Sequence, residues 1–544
     1  MTTVGHLIAD ALAAAGVEWA FTVPGESFLG ILDALPAAGV RVVATRHESG
    51  AAFMAEAIGQ LTGKPAAVLG TRAVGAANMS IGIHTARANS TPMVAILGQV
   101  QRQFLGREAF QEADLVASFG ALAKWAAQID EPNDAARVVG EGLSAMLSGR
   151  PGPVLFAVPE DVIDIANANS KARLALVRPV PPSAENTRVI IDMLDGAERP
   201  AILAGGGVVA SGAQDALVAL SERLAVPVFA AWRRPTAFPN DHPNYLGMTG
   251  YGAPARVRER LLAADALLVI GCRLNEVASY DYQLPAPTTR WAHVDLEPRT
   301  AHASLSAPDY ALAADAKAFL DRAVEVAAPS AGFTSRRLQV DAERAAFVVA
   351  TTIPDKRRDG NGVDPARVMA VLQRTLDPDA ILTTDAGNFG LWPARYFRFG
   401  RRNGFLGPTS GAMGYGLPAA IAASLAAPDR QVVALCGDGG LAMTMNELET
   451  AVRSGAAPVV IVFDNRRFGT IAMHQVNAQL PTVATELGPI DFAAIARACG
   501  AEGVRVSDDQ AFEPTLRAAL KSRRTTVIHV DQDPRWITPD RYAA

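Results

Sequence analysis

Two apolar runs in the last third of the chain, each ending in polar residues, constrain the fold most. The first run covers residues 432–436 and leads into the glycine-rich segment 437–440, and the second covers 459–463 and leads into Asn465. Apolar residues at helical spacing lie between them, which predicts a strand, a helix and a second strand. Because such crossovers are right-handed and make the strands parallel, Asp438 and Asn465 are expected side by side at the sheet edge where α/β proteins bind ligands.

The chemistry of these two side chains suits a magnesium ion that carries a diphosphate. The carboxylate of Asp438 and the amide of Asn465 both offer hard oxygen ligands, and Mg²⁺ is usually held by one or two such groups together with phosphate oxygens. The flanking glycines let the backbone approach an anion closely, and a helix that begins there directs amide groups toward it. A plain strand-to-helix turn is the alternative for the glycine segment alone, and the pairing with Asn465 favours the metal site.

The rest of the chain alternates strand-like and helix-like segments, which predicts parallel, doubly wound sheets. Two proline-rich or polar stretches, residues 170–183 and 329–365, are expected to be linkers. They divide the chain into three α/β units, residues 1–170, 185–328 and 360–544. The predicted fold class is therefore α/β, with three doubly wound parallel-sheet domains.

Charge and hydropathy exclude several classes of protein. The 50 basic and 55 acidic residues give a net charge of −5, so nothing favours nucleic acid or an acidic membrane surface as a partner. No apolar run approaches the roughly 20 residues of a spanning helix, and the first residues lack the basic start of a signal peptide. The three cysteines lie far apart in the sequence and lack metal-ligand spacing. These features predict a cytoplasmic protein without nucleic-acid or membrane partners.

Gly-Asp-Gly followed after 25 residues by an asparagine resembles the metal-binding signature of thiamine diphosphate enzymes. The order of the three units is similar to that in the acetolactate synthase, pyruvate oxidase and benzoylformate decarboxylase superfamily, over essentially the whole chain. The resemblance implies a pyrimidine-binding domain, a central domain and a diphosphate-binding domain, with thiamine diphosphate and Mg²⁺ as cofactors. It also implies Asp438, Asn465 and the backbone carbonyl of Arg467 as the metal ligands.

Glu48 is the catalytic residue that the resemblance assigns to the first domain. The segment Arg46-His47-Glu48 follows a predicted strand at 41–45 and is similar to the family's Arg-His-Glu block. In the family this carboxyl group contacts N1′ of the aminopyrimidine and favours the imino tautomer, whose 4′-nitrogen takes the C2 proton. The alternative is a glutamate in the first turn of a helix that only complements the helix dipole. Because Glu48 and Asp438 lie in different domains that meet between subunits in the relatives, the resemblance implies at least a homodimer, and a homotetramer is expected.

Further residues are assigned to cofactor contact by the same resemblance. The carbonyl of Gly411 accepts a hydrogen bond from the 4′-amino group, and Met413 supports the bent conformation of the cofactor. The cofactor-binding set, besides Glu48, Asp438, Asn465 and Arg467, comprises Pro24, Gly25, Asn78, Gly387, Asn388, Gly411, Met413, Gly437, Gly439, Gly440, Phe468, Gly469 and Thr470.

On the substrate side, the sequence departs from acetolactate synthases. Gln111 matches a segment from which those enzymes supply substrate-side residues, and it is the second predicted catalytic residue, although a solvated loop is the alternative. Glu26, Arg72 and His474 replace residues typical of acetolactate synthases. Arg72 is suited to receive a carboxylate or phosphate, and a surface charge is the equal alternative. The identity of the substrate is therefore left open.

The predicted reaction is decarboxylation of a 2-keto acid to an enamine, followed by protonation or by addition to a second carbonyl compound. The alternative is a flavin-linked oxidase of the pyruvate oxidase kind with FAD in the central domain, and a third is a non-catalytic paralogue that binds cofactor. Residues 205–210 satisfy a loose dinucleotide pattern, G-x-G-x-x-A. However, the next predicted strand ends in Trp232-Arg233-Arg234 rather than in an acid, so a tight packing turn is favoured there.

Overall fold

The computed structural model describes residues 3–166, 171–299, 306–328 and 332–540. They form three six-stranded parallel sheets with helices between the strands. The predicted fold class, α/β with three doubly wound parallel-sheet domains, is confirmed. Among these residues, no helix is both long enough and apolar enough to cross a membrane.

The first sheet lies in the N-terminal part of the chain. Its strands are β1 Trp19–Thr22, β2 Arg41–Ala44, β3 Ala66–Thr71, β4 Met93–Gln99, β5 Trp125–Gln128 and β6 Pro153–Pro159, in the spatial order β2-β1-β3-β4-β6-β5. Its helices are α1 Val4–Ala14, α2 Leu29–Ala37, α3 Glu48–Thr62, α4 Arg72–Asn89, α5 Leu115–Phe119, α6 Ala135–Leu147 and α7 Glu160–Ile163. The central strands β3 and β4 are almost entirely buried because helices cover both faces.

The second sheet forms the central domain. Its strands are β7 Pro200–Ala204, β8 Val228–Ala230, β9 Tyr245–Met248, β10 Ala266–Ile270, β11 Arg290–Asp295 and β12 Tyr310–Ala313, in the order β12-β11-β10-β7-β8-β9. Its helices are α8 Ala184–Asp195, α9 Gly206–Ala210, α10 Gln214–Leu224, α11 Ala255–Leu262 and α12 Ala316–Val326. The strand order reverses beside β7, so the loops after β7 and β10 border a crevice of the kind that binds ligands.

Residues 329–365, which composition predicts to be a linker, contain helix α13, Phe333–Ala350. Its many charged residues give the segment a polar composition, but one face packs on the central domain. Phe347 is buried and its ring meets that of Tyr245 edge to face, with centroids 5.9 Å apart. Arg336 donates to the backbone carbonyl of Asp195 at 2.8 Å. The linker prediction is therefore wrong for the helical part of this segment, residues 333–350.

The third sheet carries the two apolar runs with which the sequence analysis begins. Its strands are β13 Ile381–Thr384, β14 Gly404–Leu406, β15 Val432–Gly437, β16 Val459–Asp464, β17 Glu502–Val506 and β18 Thr526–Asp531, in the order β14-β13-β15-β16-β18-β17. Its helices are α14 Pro365–Thr375, α15 Leu391–Tyr396, α16 Gly416–Ala426, α17 Asp438–Thr444, α18 Glu447–Ser454, α19 Gly469–Asn477, α20 Phe492–Ala498 and α21 Asp509–Ser522. Strands β15 and β16 are parallel neighbours with Gly437 opposite Phe463, as predicted.

The first and third domains of one chain share a hydrophobic core, in which α3 packs against α16. A buried polar network fixes this contact. The Tyr415 hydroxyl donates to a carboxylate oxygen of Glu56 at 2.5 Å, and Asn89 and Thr91 donate to the other oxygen at 2.8 Å each. Since a buried carboxylate is costly unless it is hydrogen-bonded, this satisfied network specifies how the two domains dock.

Candidate active site

A cavity of about 210 Å³ lies at the carboxyl ends of β15 and β16. We call it the sheet-edge cavity. It brings together every third-domain residue assigned to the cofactor or metal from the sequence: Gly387, Asn388, Gly411, Met413, Gly437, Asp438, Gly439, Gly440, Asn465, Arg467, Phe468, Gly469 and Thr470. The residues that the sequence assigns to the cofactor or metal in this domain therefore share one cavity.

The three predicted metal-ligating groups are held by local backbone geometry. Asp438 is the first residue of α17 and is only 7 % exposed. Arg466 adopts a left-handed φ of 54°, and this turn brings the amide of Arg467 to 3.1 Å from Oδ1 of Asn465. The carbonyl of Arg467 accepts from the amide of Gly469 at 2.8 Å, which leaves its second lone pair for a ligand.

The glycines of the turn are required by close packing. A Cβ on Gly439 would lie 2.7 Å from the ring of Phe468, and one on Gly440 would collide with the carboxylate of Asp385. A side chain at Gly439 would therefore displace Phe468, which lines the sheet-edge cavity, and one at Gly440 would displace Asp385 beneath it.

The electrostatics of the cavity centre on two neighbouring carboxylates, Asp438 and Asp464. Burial raises the pKa of Asp438 to about 7, and the adjacent Asp464 adds to the effect. Burial also acts to raise the pKa of Asp464, but a hydrogen bond from His529 Nε2 at 2.9 Å and the charge of that ring outweigh it, so its pKa is lowered. One acid of the pair therefore keeps its proton at a pH where the other is ionised.

This arrangement predicts that Mg²⁺ affinity depends on pH. The raised pKa means that the folded chain keeps Asp438 protonated up to about pH 7. If this carboxylate is a ligand of Mg²⁺, the metal would have to displace that proton. We expect affinity to rise by about tenfold per pH unit below this pKa and to level off above it. Calorimetry between about pH 5.5 and 8.5 measures the effect. An affinity that stays constant over this range in the wild type, or a slope that is retained in Asp438→Asn, would contradict the prediction.

The residues present fit a magnesium diphosphate. The Nδ2 atom of Asn388 is buried and has no hydrogen-bond partner among the described residues, while its Oδ1 accepts from the Thr470 hydroxyl at 2.7 Å. Because an unpaired buried donor is costly, a ligand oxygen is the group that would satisfy it. The oxygen ligands of Asp438 and Asn465 match the preference of Mg²⁺.

Glu48, the predicted catalytic acid, begins helix α3 in the first domain. It is 8 % exposed, and its Oε2 accepts a hydrogen bond from Asn78 Nδ2 at 2.9 Å. The loop with Pro24 and Gly25 packs on β3, since a Cβ on Gly25 would lie 2.7 Å from the Thr71 side chain. No described residue before Ala386 lines the sheet-edge cavity of the same chain. The structure therefore divides the predicted site into two halves, one on the first domain and one on the third.

Arg72 and Gln111 lie close together at the start of α4. The backbone carbonyl of Gln111 accepts from the amide of Ala73 at 3.2 Å. Arg72 is 7 % exposed and forms ion pairs with Glu26 at 3.1 Å and Glu160 at 3.4 Å. The interpretation of Arg72 as a surface charge is therefore wrong. Glu26 and Glu160 already balance the positive charge of its guanidinium, which disfavours its other predicted role as a receptor for an anion. Glu160 was not singled out from the sequence, because only the fold brings α7 beside β3.

A second large cavity, of about 340 Å³, lies at the crevice of the central sheet. The glycine loop after β7 lines it and is also packed tightly, since a Cβ on Gly207 would lie 2.7 Å from Gly271 Cα. The tight turn favoured from the sequence is thus present and also borders open space. An acid lines this cavity as well: Asp295 at the end of β11, which pairs with Arg150 at 2.8 Å.

Known protein families match this chain in three segments, one for each of the three sheets. Residues 2–118 match the N-terminal TPP binding domain of thiamine pyrophosphate enzymes, 187–323 match their central domain, and 385–530 match their C-terminal TPP binding domain.

Curated proteins are similar over nearly the full length. The acetolactate synthase large subunit of Parasynechococcus marenigrum is 32 % identical over 96 % of this chain and 86 % of its own length. A probable acetolactate synthase large subunit of Methanocaldococcus jannaschii is 31 % identical over 98 % and 92 %. A sulfoacetaldehyde acetyltransferase of Castellaniella defragrans is 29 % identical over 97 % and 93 %.

Proposed function

The chain belongs to the thiamine pyrophosphate enzyme family, and from this premise we propose that it is a Mg²⁺-dependent, acetolactate synthase-like enzyme that decarboxylates a 2-keto acid. The product is released after protonation or is joined to a second carbonyl compound. The observation that carries the proposal is the sheet-edge cavity, which Asp438, Asn465 and the glycine turn line together with Asn388. The Nδ2 donor of Asn388 has no partner within the described part of the chain.

In this proposal, Asp438, Asn465 and the Arg467 carbonyl hold Mg²⁺, and Asn388 donates to the diphosphate. Bound thiamine diphosphate supplies an electron sink for the cleavage of the bond to the carboxylate. Asp438 and Asn388 are buried, which excludes water from this carboxylate and amide and strengthens their interactions with a charged ligand.

Glu48 acts on the first-domain side of the site. Asn78 donates to Oε2 and so holds the carboxyl group in one orientation. The other oxygen is then the one available to hold or pass a proton to the aminopyrimidine of the cofactor. A glutamate that only complements a helix dipole needs no such orienting partner, so the contact with Asn78 supports the catalytic role.

We also propose that the protein works as a homodimer at least. Glu48 and the sheet-edge cavity belong to separate halves of one chain, and a second copy would bring the first-domain half of one subunit to the third-domain half of its partner. The homotetramer stays an expectation from the family resemblance. Buried free thiols at Cys272 and Cys436 suit the cytoplasm, where thiols are kept reduced.

The test of this function is turnover of a panel of 2-keto acids by protein supplied with thiamine diphosphate and Mg²⁺. We expect release of carbon dioxide that requires both cofactors and stops when Mg²⁺ is chelated. Cofactor binding without turnover of any 2-keto acid would instead favour the non-catalytic paralogue.

A flavin-linked oxidase is the second candidate, and the central-domain cavity is the observation that favours it. Glycines from the loop after β7 and four arginines line this cavity: Arg150, Arg178, Arg234 and Arg273. Cations and closely approaching backbone suit a pyrophosphate. Purified protein with the yellow colour of bound flavin, which is bleached by a 2-keto acid in the absence of oxygen, would establish this candidate over the lyase.

A further inference from the structure

A third cavity, of about 250 Å³, adjoins the sheet-edge cavity. The two share part of their lining, including Gly387, Asn388, Gly411 and Thr470. Those shared residues are assigned to the cofactor. A substrate that reacts with the cofactor would therefore lie next to this third cavity. The cavity is therefore placed to receive the part of a substrate that does not react.

The walls of this cavity are mainly aromatic and apolar, and we call it the aromatic chamber. The central domain contributes Trp232 and Tyr251, whose rings meet edge to face with centroids 6.2 Å apart. The third domain contributes Phe399 and Phe405, which meet edge to face at 5.4 Å, and Met473 of α19. Edge-to-face geometry is the arrangement in which aromatic rings attract one another, so these walls also offer favourable contacts to a further ring.

Two hydrogen bonds fix the aromatic walls at the backbone. The amide of Trp232 donates to the Thr249 hydroxyl at 3.0 Å, and the amide of Phe399 donates to Asn240 Oδ1 at 3.1 Å. The chamber is therefore formed by anchored segments of two domains, and a ligand would find it largely preformed.

One charged side chain, Arg233, also lines the chamber. It is 9 % exposed, and its guanidinium carbon lies 5.0 Å from the centroid of the Trp232 ring. Its Nη2 donates to the backbone carbonyl of Asp385 at 3.1 Å, whereas Nη1 is buried without a partner among the described residues. Since an unpaired buried donor is costly, a polar atom of a ligand beside the aromatic walls would relieve it.

The size of the chamber decides between small and large substrates. An apolar cavity of about 150 Å³ holds benzene in another protein, so a volume of about 250 Å³ accommodates a phenyl ring and several further atoms. The methyl group of pyruvate would leave most of the chamber without contacts, and unfilled apolar space forfeits dispersion energy. We propose that the substrate is an aromatic 2-keto acid whose ring occupies the aromatic chamber, an inference that rests on the proposed function.

The simplest such reaction balances without a co-reactant. Phenylglyoxylate and a proton give benzaldehyde and carbon dioxide. The bond between the carboxyl carbon and the keto carbon breaks, and the keto carbon keeps the electron pair and takes the proton. No oxidant or reductant is required.

The test compares phenylglyoxylate with pyruvate on protein supplied with thiamine diphosphate and Mg²⁺. We expect kcat/KM for phenylglyoxylate to exceed that for pyruvate by at least about 100-fold, because several apolar groups are bound rather than one. Met473→Trp fills the chamber from α19 and is expected to lower kcat/KM for phenylglyoxylate by about tenfold or more, with pyruvate little changed. Val476→Trp is the matched control, since Val476 is on the same helix, is 49 % exposed and lines neither cavity.

Different outcomes separate this inference from the proposed function. If the enzyme prefers pyruvate and Met473→Trp affects both substrates equally, the aromatic chamber has no role in substrate choice, while the proposed function stands. If no 2-keto acid is turned over, the proposed function fails. Calorimetry with phenylglyoxylate then tests separately whether the aromatic chamber binds this compound. Binding that Met473→Trp abolishes and Val476→Trp preserves would still support the inference that the chamber receives an aromatic ring. The absence of binding would overturn that inference.

Discussion

Replacing Asp438 by alanine is expected to lower the affinity for thiamine diphosphate in the presence of Mg²⁺ by at least about 100-fold. The carboxylate is 7 % exposed, lies at the sheet edge beside Asn465 and supplies the only charged ligand in the proposed metal set. Removing one partner of a buried charged pair costs about 3–5 kcal/mol, and each 1.4 kcal/mol is tenfold in affinity. Calorimetric titration with thiamine diphosphate, with and without Mg²⁺, measures the loss.

The control for this experiment is Asp429→Ala, which removes an exposed aspartate from the loop before β15. It should bind the cofactor like the wild type. Thermal unfolding of the unliganded proteins should show that Asp438→Ala is folded. If folded Asp438→Ala retained Mg²⁺-dependent binding of wild-type strength, the assignment of Asp438 as a metal ligand would be wrong.

Glu48→Gln is expected to reduce kcat by about 100-fold or more, since general acid–base groups contribute about 10² to 10⁴ in rate. Glutamine keeps the shape of the side chain and an oxygen that can accept the hydrogen bond from Asn78. Cofactor affinity should therefore change by no more than a few-fold, which separates catalysis from binding. Glu18→Gln, at an exposed ion pair with Lys64, serves as the matched control.

Mixing the two inactive variants tests whether the site is shared between subunits. If Glu48 of one subunit acts with Asp438 of another, a hybrid dimer of Glu48→Gln and Asp438→Ala contains one site with both native residues. Activity should then appear after the subunits of the two variants are exchanged. Failure to regain activity, when hybrids have been shown to form, would place both residues of each site in one chain.

Much of the third domain follows from its sequence. Apolar runs of five or six residues and the right-handed crossover rule are enough to place Asp438 and Asn465 at one sheet edge, and β15 and β16 are indeed adjacent. Short edge strands such as β14 and β17 carry a weaker pattern, because one side of an edge strand is unpaired and less buried. The sequence does not predict helix α13 for a related reason. Its charged residues give the segment a polar composition, although one face of the helix packs on the central domain.

The sequence by itself determined the three-domain α/β fold, the family and most of the residues that line the sheet-edge cavity. These depend on periodicity and on residues that end particular strands, which are local properties of the chain. Tertiary structure alone decided that Arg72 is buried between Glu26 and Glu160, and that Trp232 and Arg233 share a chamber with Phe405. Such contacts join segments far apart in the chain, and they arise from the packing of whole domains, which no local pattern specifies.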